Sequence, residues 1–168
     1  KSKIRVGYTP EVLTNATADL AFSLMIDVMR RVSEGDRIIR KGKWSEIYGA
    51  YDYVGTDLQE KTLGIFGLGR IGSTLARRAK SFDMNIIYHN RKHVSKTKEK
   101  LFGVKYVSFD KLIRQSDVIS IHVPHTNQTD QMFDKKILKK MKKTAFLVNT
   151  ARGKIINEKD LAEALNNK

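Results

Sequence analysis

Residues 62–72 read TLGIFGLGRIG, and this stretch decides the fold. A short apolar run leads into Gly67, Gly69 and Gly72, spaced as Gly-x-Gly-x-x-Gly, and a helical pattern continues to Ser81. Three glycines at this spacing allow a sharp turn, a close approach of backbone to a pyrophosphate and tight packing of helix on strand. Because a strand precedes the motif and a helix follows it, a dinucleotide site is favoured over a glycine turn without a ligand.

Apolar runs alternate with helical patterns from residue 62 onward. Such alternation predicts a parallel sheet with helices on both faces, here a doubly wound α/β sheet of Rossmann type. Right-handed crossovers bring the carboxyl ends of the strands to one rim, where ligands bind. The predicted strands are 63–66, 85–89, 104–107, 118–122 and 145–149, and the predicted helices are 71–81, 94–101, 109–115, 134–141 and 158–165, the last capped by Asn157.

The first 60 residues show no such repeat. A short strand is predicted at 4–6 and a leading helix at 14–34, which Thr14 or Asn15 would cap and Gly35 would stop. An aromatic arm at 42–56 lacks a clear period and is more typical of packing or a subunit contact than of base stacking. Residues 1–168 are expected to form one domain. The leading helix should bury one apolar face, made of Leu20, Ala21, Leu24, Met25, Val28 and Val32.

The chain is strongly basic, with 32 Lys and Arg against 18 Asp and Glu and a net charge of +14. A field of that sign attracts nucleotides and other polyanions. The densest lysine run, at 135–143, alternates with apolar residues at helical spacing, which indicates a solvated helix face. No zinc-finger, stacking or recognition-helix pattern accompanies the charge, so no specific nucleic-acid partner is expected.

Cysteine is absent, which excludes a disulfide framework, a thiolate metal site and a cysteine nucleophile. No metal site is predicted. The longest apolar stretch, 18–32, is interrupted by four charged residues and is unsuited to spanning a bilayer. No secretory leader pattern opens the chain. These observations favour a cytoplasmic protein without a membrane partner.

The end of the second strand favours NADP over NAD. In this fold a carboxylate about 20 residues past the glycines accepts hydrogen bonds from the adenosine ribose of NAD. Residues 85–93 read NIIYHNRKH, so Asn90, Arg91 and Lys92 occupy the turn instead. No carboxylate repels a 2′-phosphate there, and Arg91 offers a planar fork that can bind one. NADP is the favoured cofactor and NAD the alternative.

Residues 149–153 read NTARG and follow the fifth predicted strand. Arg152 is therefore expected at the ligand rim, where a guanidinium can hold a carboxylate or a carbonyl in bidentate geometry. An arginine before glycine is by itself more typical of the surface. Its position at the end of a strand favours a catalytic role.

Four ordered stretches together resemble one family. They read VGYTPEVLTNATADLA at 6–21, KTLGIFGLGRIG at 61–72, IHVP at 121–124 and MKKTAFLVNTARG at 141–153. They are similar to the D-isomer-specific 2-hydroxyacid dehydrogenases, and most similar to the branch of glyoxylate and hydroxypyruvate reductases or 2-ketogluconate reductases. The resemblance extends over nearly all of the chain. It implies hydride transfer between NAD(P)H and a small 2-oxo acid such as glyoxylate or hydroxypyruvate.

The resemblance also implies a cofactor site of known outline. The glycine motif would meet the pyrophosphate, the second-strand turn the adenosine ribose or its phosphate, and the NTARG turn the nicotinamide. Arg152 would be the catalytic residue that orients the carboxylate and carbonyl of the substrate. The cofactor-binding residues would be Gly67, Leu68, Gly69, Arg70, Ile71, Gly72, Asn90, Arg91, Lys92, His122, Val123, Pro124, Thr129, Thr150, Ala151 and Arg152.

Members of this family also need a histidine that protonates the carbonyl oxygen and a glutamate that orients it. The resemblance places both downstream of this chain, and the substrate domain outside it as well. The histidines present, at 89, 93, 122 and 125, flank two turns and are expected on the cofactor side or at the surface. The chain is therefore expected to be an excised cofactor domain that binds nucleotide without turnover.

Some expectations compete with this one or depart from it. Related corepressors suggest a nucleotide-gated interaction platform, and the charge suggests a polyanion-binding protein, but the second-strand turn and Arg152 favour the enzyme. Residues 15–32 and 44–53 resemble the surfaces through which the family dimerises, so a homodimer is expected. Glu60 and Asp83 stand where the family usually has glycine, which puts the turn geometry there in question.

Overall fold

The computed structural model describes residues 11–46 and 53–167, together with residues 5, 7 and 9. Its five strands are all parallel and lie in the order β3-β2-β1-β4-β5. The chain winds outward from β1 to one edge and returns to β4 on the other side of β1, which confirms the predicted doubly wound α/β fold. The strands are β1 Thr62–Phe66, β2 Asn85–His89, β3 Val104–Tyr106, β4 Val118–Ile121 and β5 Phe146–Asn149.

Seven α-helices and two 3₁₀ turns, Trp44–Glu46 and Gly153–Ile155, are assigned within the described residues. Side-chain oxygens of Ser95, Ser108, Asp134 and Asn157 accept the N–H three residues on and start four of these helices. Asn157 thus confirms its predicted cap. The helices are α1 Thr14–Arg30, α2 Val32–Arg40, α3 Arg70–Lys80, α4 Lys96–Phe102, α5 Phe109–Gln115, α6 Lys135–Leu138 and α7 Glu158–Asn166.

Two apolar layers enclose the sheet. Leu63 and Ile65 of β1 belong to the layer that contains α1 and α3, whereas Phe66 belongs to the layer that contains α5. Burial on both faces explains why the central strands β1 and β4 are almost continuously apolar. Residues 107, 122 and 145 lie just outside the strands predicted to include them, and α6 is shorter than the predicted 134–141.

The prediction of one leading helix from 14 to 34 is wrong. The chain breaks at Arg31, whose φ of 58° is left-handed, and α2 then continues through Gly35. Asp27 accepts hydrogen bonds from the backbone N–H and the hydroxyl of Ser33 at 2.6 and 2.7 Å, which supports the new helix start. Gly35 does not stop the helix; a Cβ there would lie 2.9 Å from the Tyr53 hydroxyl, so glycine allows close packing of α2 on residue 53.

The predicted N-cap of α1 is also wrong, since Leu13 holds the cap position and makes no side-chain cap hydrogen bond. Only part of the predicted apolar face is buried. Leu20, Leu24 and Val28 are 41% to 53% exposed, because α1 packs on α3 and the sheet through a neighbouring stripe; Val32 lies in α2 and is 56% exposed. That stripe consists of Ala18, Ala21, Phe22, Met25 and Met29.

Some predicted features fall partly outside the described residues. Of the strand predicted at 4–6 only residue 5 is described, and of the arm at 42–56 residues 47–52 are not. Within the arm, the rings of Trp44 and Tyr53 meet edge to face with centroids 6.0 Å apart. No helix in the described ranges has the length and apolar character needed to cross a membrane.

Candidate functional site

The register of the sheet brings four strand ends to one rim. Phe66 pairs with His89 on one side and with Ile121 on the other, and Ile121 pairs with Asn149. The loops that follow β1, β2, β4 and β5 therefore begin at the same edge. These loops contain nearly all of the residues predicted to bind cofactor.

The three glycines have three different roles. Gly67 has a φ of 105°, and a Cβ there would lie 2.8 Å from the carbonyl carbon of His122. A Cβ on Gly72 would overlap the carbonyl oxygen of Gly67, so this glycine lets α3 start directly against β1. Nothing lies within 4 Å of a Cβ on Gly69. The loop is therefore closely packed against the protein at Gly67 and Gly72 and open to its surroundings at Gly69.

The amides of the glycine loop are already used within the protein. Gly67 N–H donates to the carbonyl of His89 at 3.0 Å, and Gly69 N–H donates to the carbonyl of Gly67 at 3.0 Å. Leu68 N–H donates to Asn90 Oδ1 at 2.6 Å. The Leu68 side chain is only 4% exposed and belongs to the core. An anion would therefore find no free donor before the helix.

Free donors begin with α3. In the described structure no acceptor meets the amides of Arg70, Ile71 or Gly72, and no side chain caps the helix at Gly69. Unpaired amides and the positive end of the helix dipole favour an anion at this place. The Arg70 side chain is exposed and Ile71 is half-buried. Within residues 67–72, where the phosphate cradle is predicted, the amides without an acceptor are therefore those of residues 70–72.

Asn90, Arg91 and Lys92, in the turn after β2, have different surroundings. Asn90 faces the glycine loop, whereas Arg91 is exposed and lines a depression of about 440 Å³ together with residues 126–128. Lys92 is exposed and does not line this depression. Sequence reasoning missed residues 126–128, which read TNQ. Their position in the loop after the fourth predicted strand, at the same rim, is the feature of the sequence that could have pointed to them.

His122 forms the floor beneath the loop. Its backbone N–H donates to the carbonyl of Phe66 at 2.8 Å, and its Nε2 lies 2.8 Å from Ser120 Oγ. Burial disfavours the imidazolium and lowers the pKa of His122 to about 4. The ring is therefore neutral at pH 7 and is not a proton donor at that pH.

The imidazole ring of each of the other three histidines contacts another group of the protein. His89 Nδ1 lies 3.0 Å from the carbonyl oxygen of Val107. His93 stacks on Tyr106 with centroids 3.5 Å apart. His125 pairs with Asp130 at 2.6 Å.

The loop after β4 is shaped by Thr129. Its hydroxyl donates to the carbonyl of Pro124 at 2.8 Å and accepts from the N–H of Thr126 at 2.8 Å. Val123 is half-buried beside Gly67, and Pro124 is exposed. The hydroxyl predicted beside the cofactor thus holds the loop that lines the Arg91 depression.

The NTARG turn after β5 is built by Asn149. Its Oδ1 accepts the N–H of Ala151 at 3.0 Å, and its Nδ2 donates to the carbonyl of Arg152 at 2.9 Å. The exposed Arg152 donates one hydrogen bond, to the carbonyl of Ala151 at 2.7 Å. Sequence reasoning had not assigned this role to Asn149, although asparagine is a frequent turn former.

One buried oxygen at the rim lacks a partner. Among the described residues, Thr150 Oγ1 is the buried side-chain oxygen or nitrogen without a hydrogen bond. A buried polar atom of this kind normally has a partner, which a ligand can supply. With the open surface above Gly69 and the free amides of α3, this atom makes the rim fit a dinucleotide. No group of three acidic or histidine side chains in the described ranges is placed to bind a metal.

Comparison with known proteins agrees with this geometry. Residues 22–168 match the sequence model of the D-isomer specific 2-hydroxyacid dehydrogenase, NAD binding domain. A glyoxylate reductase of Korarchaeum cryptofilum is 47% identical over 165 residues, which cover 98% of this chain and 49% of that protein. One of Thermococcus litoralis is 47% identical over 168 residues, with 98% and 50% covered. The chain spans about half the length of these curated relatives.

Solved structures show the same relation. A glyoxylate reductase from Paecilomyes thermophila superposes with a TM-score of 0.86 at 45% identity, covering 95% of this chain and 47% of that one. An NAD-dependent formate dehydrogenase from Staphylococcus aureus, in complex with NAD, superposes with a TM-score of 0.80 at 39% identity, covering 92% and 45%.

Proposed function

The chain belongs to the D-isomer-specific 2-hydroxyacid dehydrogenases, and we propose that it serves as the cofactor-binding half of a reductase acting on a small 2-oxo acid. Glyoxylate and hydroxypyruvate are the proposed substrates, since relatives at 47% identity are glyoxylate reductases. The observation that carries the proposal is the shape of the glycine loop. It is closely packed at Gly67 and Gly72, open at Gly69, and followed by three unpaired amides at the start of α3.

Each part of the rim has a proposed task toward the dinucleotide. The amides of residues 70–72 would hold the diphosphate, and Thr150 Oγ1 would gain its missing hydrogen bond on the nicotinamide side. When bound, the reduced nicotinamide would supply hydride to the carbonyl carbon of the substrate.

Arg152 is proposed to orient the substrate. Its side chain is exposed at the rim and makes one hydrogen bond within its own turn, which leaves most of its N–H donors available. A guanidinium can hold a carboxylate through two parallel hydrogen bonds and fix the adjacent carbonyl in place. Asn149 keeps the turn in the conformation that presents this side chain.

NADP is the proposed cofactor form. The depression beside Arg91 is lined by polar residues and contains no carboxylate, so a 2′-phosphate would meet one cation and no like charge. Changing Arg91→Ala should weaken NADPH binding roughly ten- to hundredfold, since a hydrogen bond to a charged group contributes about 1.5 to 3 kcal/mol. NADH binding should change little. Isothermal titration calorimetry with both reduced cofactors measures this difference.

Arg77→Ala is the matched control, because Arg77 is an exposed arginine of α3 that does not line the depression. It should alter both affinities little. Equal losses for NADPH and NADH in the Arg91 variant would contradict the NADP assignment. Absence of binding of either cofactor to the unaltered chain would contradict the proposed function itself.

The chain alone is proposed to bind without turnover. Its four histidines are respectively bonded to a carbonyl, stacked on a tyrosine, neutral beneath the loop and paired with an aspartate. None is therefore proposed as the proton donor. Glyoxylate reduction by the purified chain, followed through NADPH absorbance, would show this to be wrong.

A homodimer in the cytoplasm is the proposed state of the protein. The outer stripe of α1, made of Leu20, Leu24 and Val28, is exposed and apolar, which is typical of a subunit contact. The absence of cysteine fits a reducing compartment.

A further inference from the structure

Few side chains of the glycine loop itself anchor its backbone. Leu68 stands between Gly67 and Gly69, neither of which has a side chain to anchor the backbone. The Leu68 side chain is buried in the core, but this apolar packing does not set the directions in which the N–H and carbonyl of Leu68 point. That orientation matters because the loop leads directly into the free amides of α3.

The side-chain amide of Asn90 lies against both the N–H and the carbonyl group of Leu68. Asn90 Oδ1 accepts the Leu68 N–H at 2.6 Å, and Asn90 Nδ2 lies 3.5 Å from the Leu68 carbonyl oxygen. Two backbone hydrogen bonds flank Leu68, from Gly67 N–H to the carbonyl of His89 and from Gly69 N–H to the carbonyl of Gly67, each at 3.0 Å. The end of β2 therefore binds the glycine loop through two consecutive residues, His89 by its backbone carbonyl and Asn90 by its side chain.

Asn90 occupies the position where this fold often carries a carboxylate for the adenosine ribose. Its geometry indicates another role. The acceptor oxygen is turned to Leu68, and Asn90 is not among the residues that line the depression beside Arg91. The residue beside it, Arg91, faces that depression instead.

We propose that Asn90 is a positioning residue that fixes the glycine loop, and that it acts on the dinucleotide through Leu68 rather than through the ribose. This inference rests on the proposed function and deepens it. Because the diphosphate is common to NADH and NADPH, loss of Asn90 should weaken both by the same factor. Arg91, by contrast, should distinguish between them.

The test compares Asn90→Ala with Asn85→Ala. Asn85 lies at the opposite end of the same strand, and its Nδ2 also donates to a backbone carbonyl, that of Glu60 at 2.9 Å. The Asn90 variant should bind NADH and NADPH each about three- to tenfold more weakly, the loss expected for one hydrogen bond. The Asn85 variant should bind both cofactors as the unaltered chain does.

Amide hydrogen exchange supplies a second readout that needs no cofactor. Leu68 N–H should exchange faster in the Asn90→Ala chain and regain its protection in Asn90→Asp, which keeps an acceptor oxygen in place. An unchanged Leu68 exchange rate in Asn90→Ala would overturn the proposal. So would a loss confined to one of the two cofactors, since that result would indicate a direct ribose contact.

The two proposals can fail separately. If the unaltered chain bound neither dinucleotide, the proposed function would be wrong, and with it the role of Asn90 toward the cofactor. If it bound both and Asn90→Ala bound them equally well, only the role of Asn90 would be wrong.

Discussion

Glu60 and Asp83 both adopt left-handed backbone angles, with φ of 62° and 53°. They face each other at the start of the sheet, where Glu60 N–H donates to the carbonyl of Asp83 at 3.0 Å. Residues with a Cβ are strained in this region, and glycine is not. The departures from the glycine usual in this family therefore keep the turn geometry and accept its strain.

Replacing either residue by glycine should stabilise the chain. Glu60→Gly and Asp83→Gly should each raise the free energy of unfolding by about 0.5 to 1 kcal/mol, because relief of the left-handed strain exceeds the added entropy of the unfolded chain. Urea unfolding followed by circular dichroism measures the change. Lys61→Gly is the control; its φ is not positive, so it should lower stability. A loss of stability in both of the first two variants would contradict the argument.

At the scale of elements, α1 shows what hydrophobic periodicity leaves open. Leu20, Leu24 and Val28 form one apolar stripe, while Ala21, Met25 and Met29 form the adjacent one. Both stripes have helical spacing, so the pattern predicts the helix without telling which stripe faces the core. The stripe with small residues packs on α3, and the branched side chains remain outside.

The strands and the N-cap of α7 follow more directly from the sequence than this face does. The central strands β1 and β4, buried on both sides, have an almost unbroken apolar signal, and an asparagine before an acidic turn caps a helix by a local mechanism, as at Asn157. The break at Arg31 depends on the contact of Gly35 with Tyr53 and on Asp27, which are set by packing. The same holds at the site, where the direction of the Asn90 side chain could not be read from its place in the chain.

The exposed stripe of α1 gives a test of the proposed dimer. Leu24→Glu should convert a dimer to a monomer in sedimentation velocity at micromolar concentration, because a buried carboxylate without a partner is strongly unfavourable. Its melting temperature as a monomer should change little, since Leu24 is already 41% exposed in the chain.

Leu101→Glu is the control for this test. Leu101 is an exposed leucine of α4, 67% accessible, and lies outside the proposed contact. That variant should sediment as the unaltered chain does. If the unaltered chain is a monomer, or if the Leu24 variant remains a dimer, the α1 stripe is not the subunit contact.

At the scale of the whole molecule, the positive charge is unevenly distributed. Residues 70–105 contain ten of the Lys and Arg residues but only two acidic residues, so this segment carries a net +8 of the total +14. One of the two acids, Glu99, is buried and hydrogen-bonded to Tyr88 and Lys96. Elsewhere the predicted lysine face is partly neutralised, as in the pairs Lys140–Asp110 and Lys142–Asp117.

The basic segment includes the start of α3 and the turn after β2, so part of its charge lies beside the proposed cofactor site. Its field should attract any polyanion, but only a ligand that fits the glycine loop should remain bound when salt screens the field. Between about 50 and 200 mM salt, the affinity for a short DNA duplex should fall about a thousandfold or more, as expected for several phosphate contacts. The affinity for NADPH should fall roughly tenfold or less, because fewer phosphates are neutralised. Fluorescence titrations at several salt concentrations compare the two ligands. Duplex binding that persisted at the higher salt, or that depended on base sequence, would identify a built nucleic-acid site and contradict the view that this charge serves the dinucleotide.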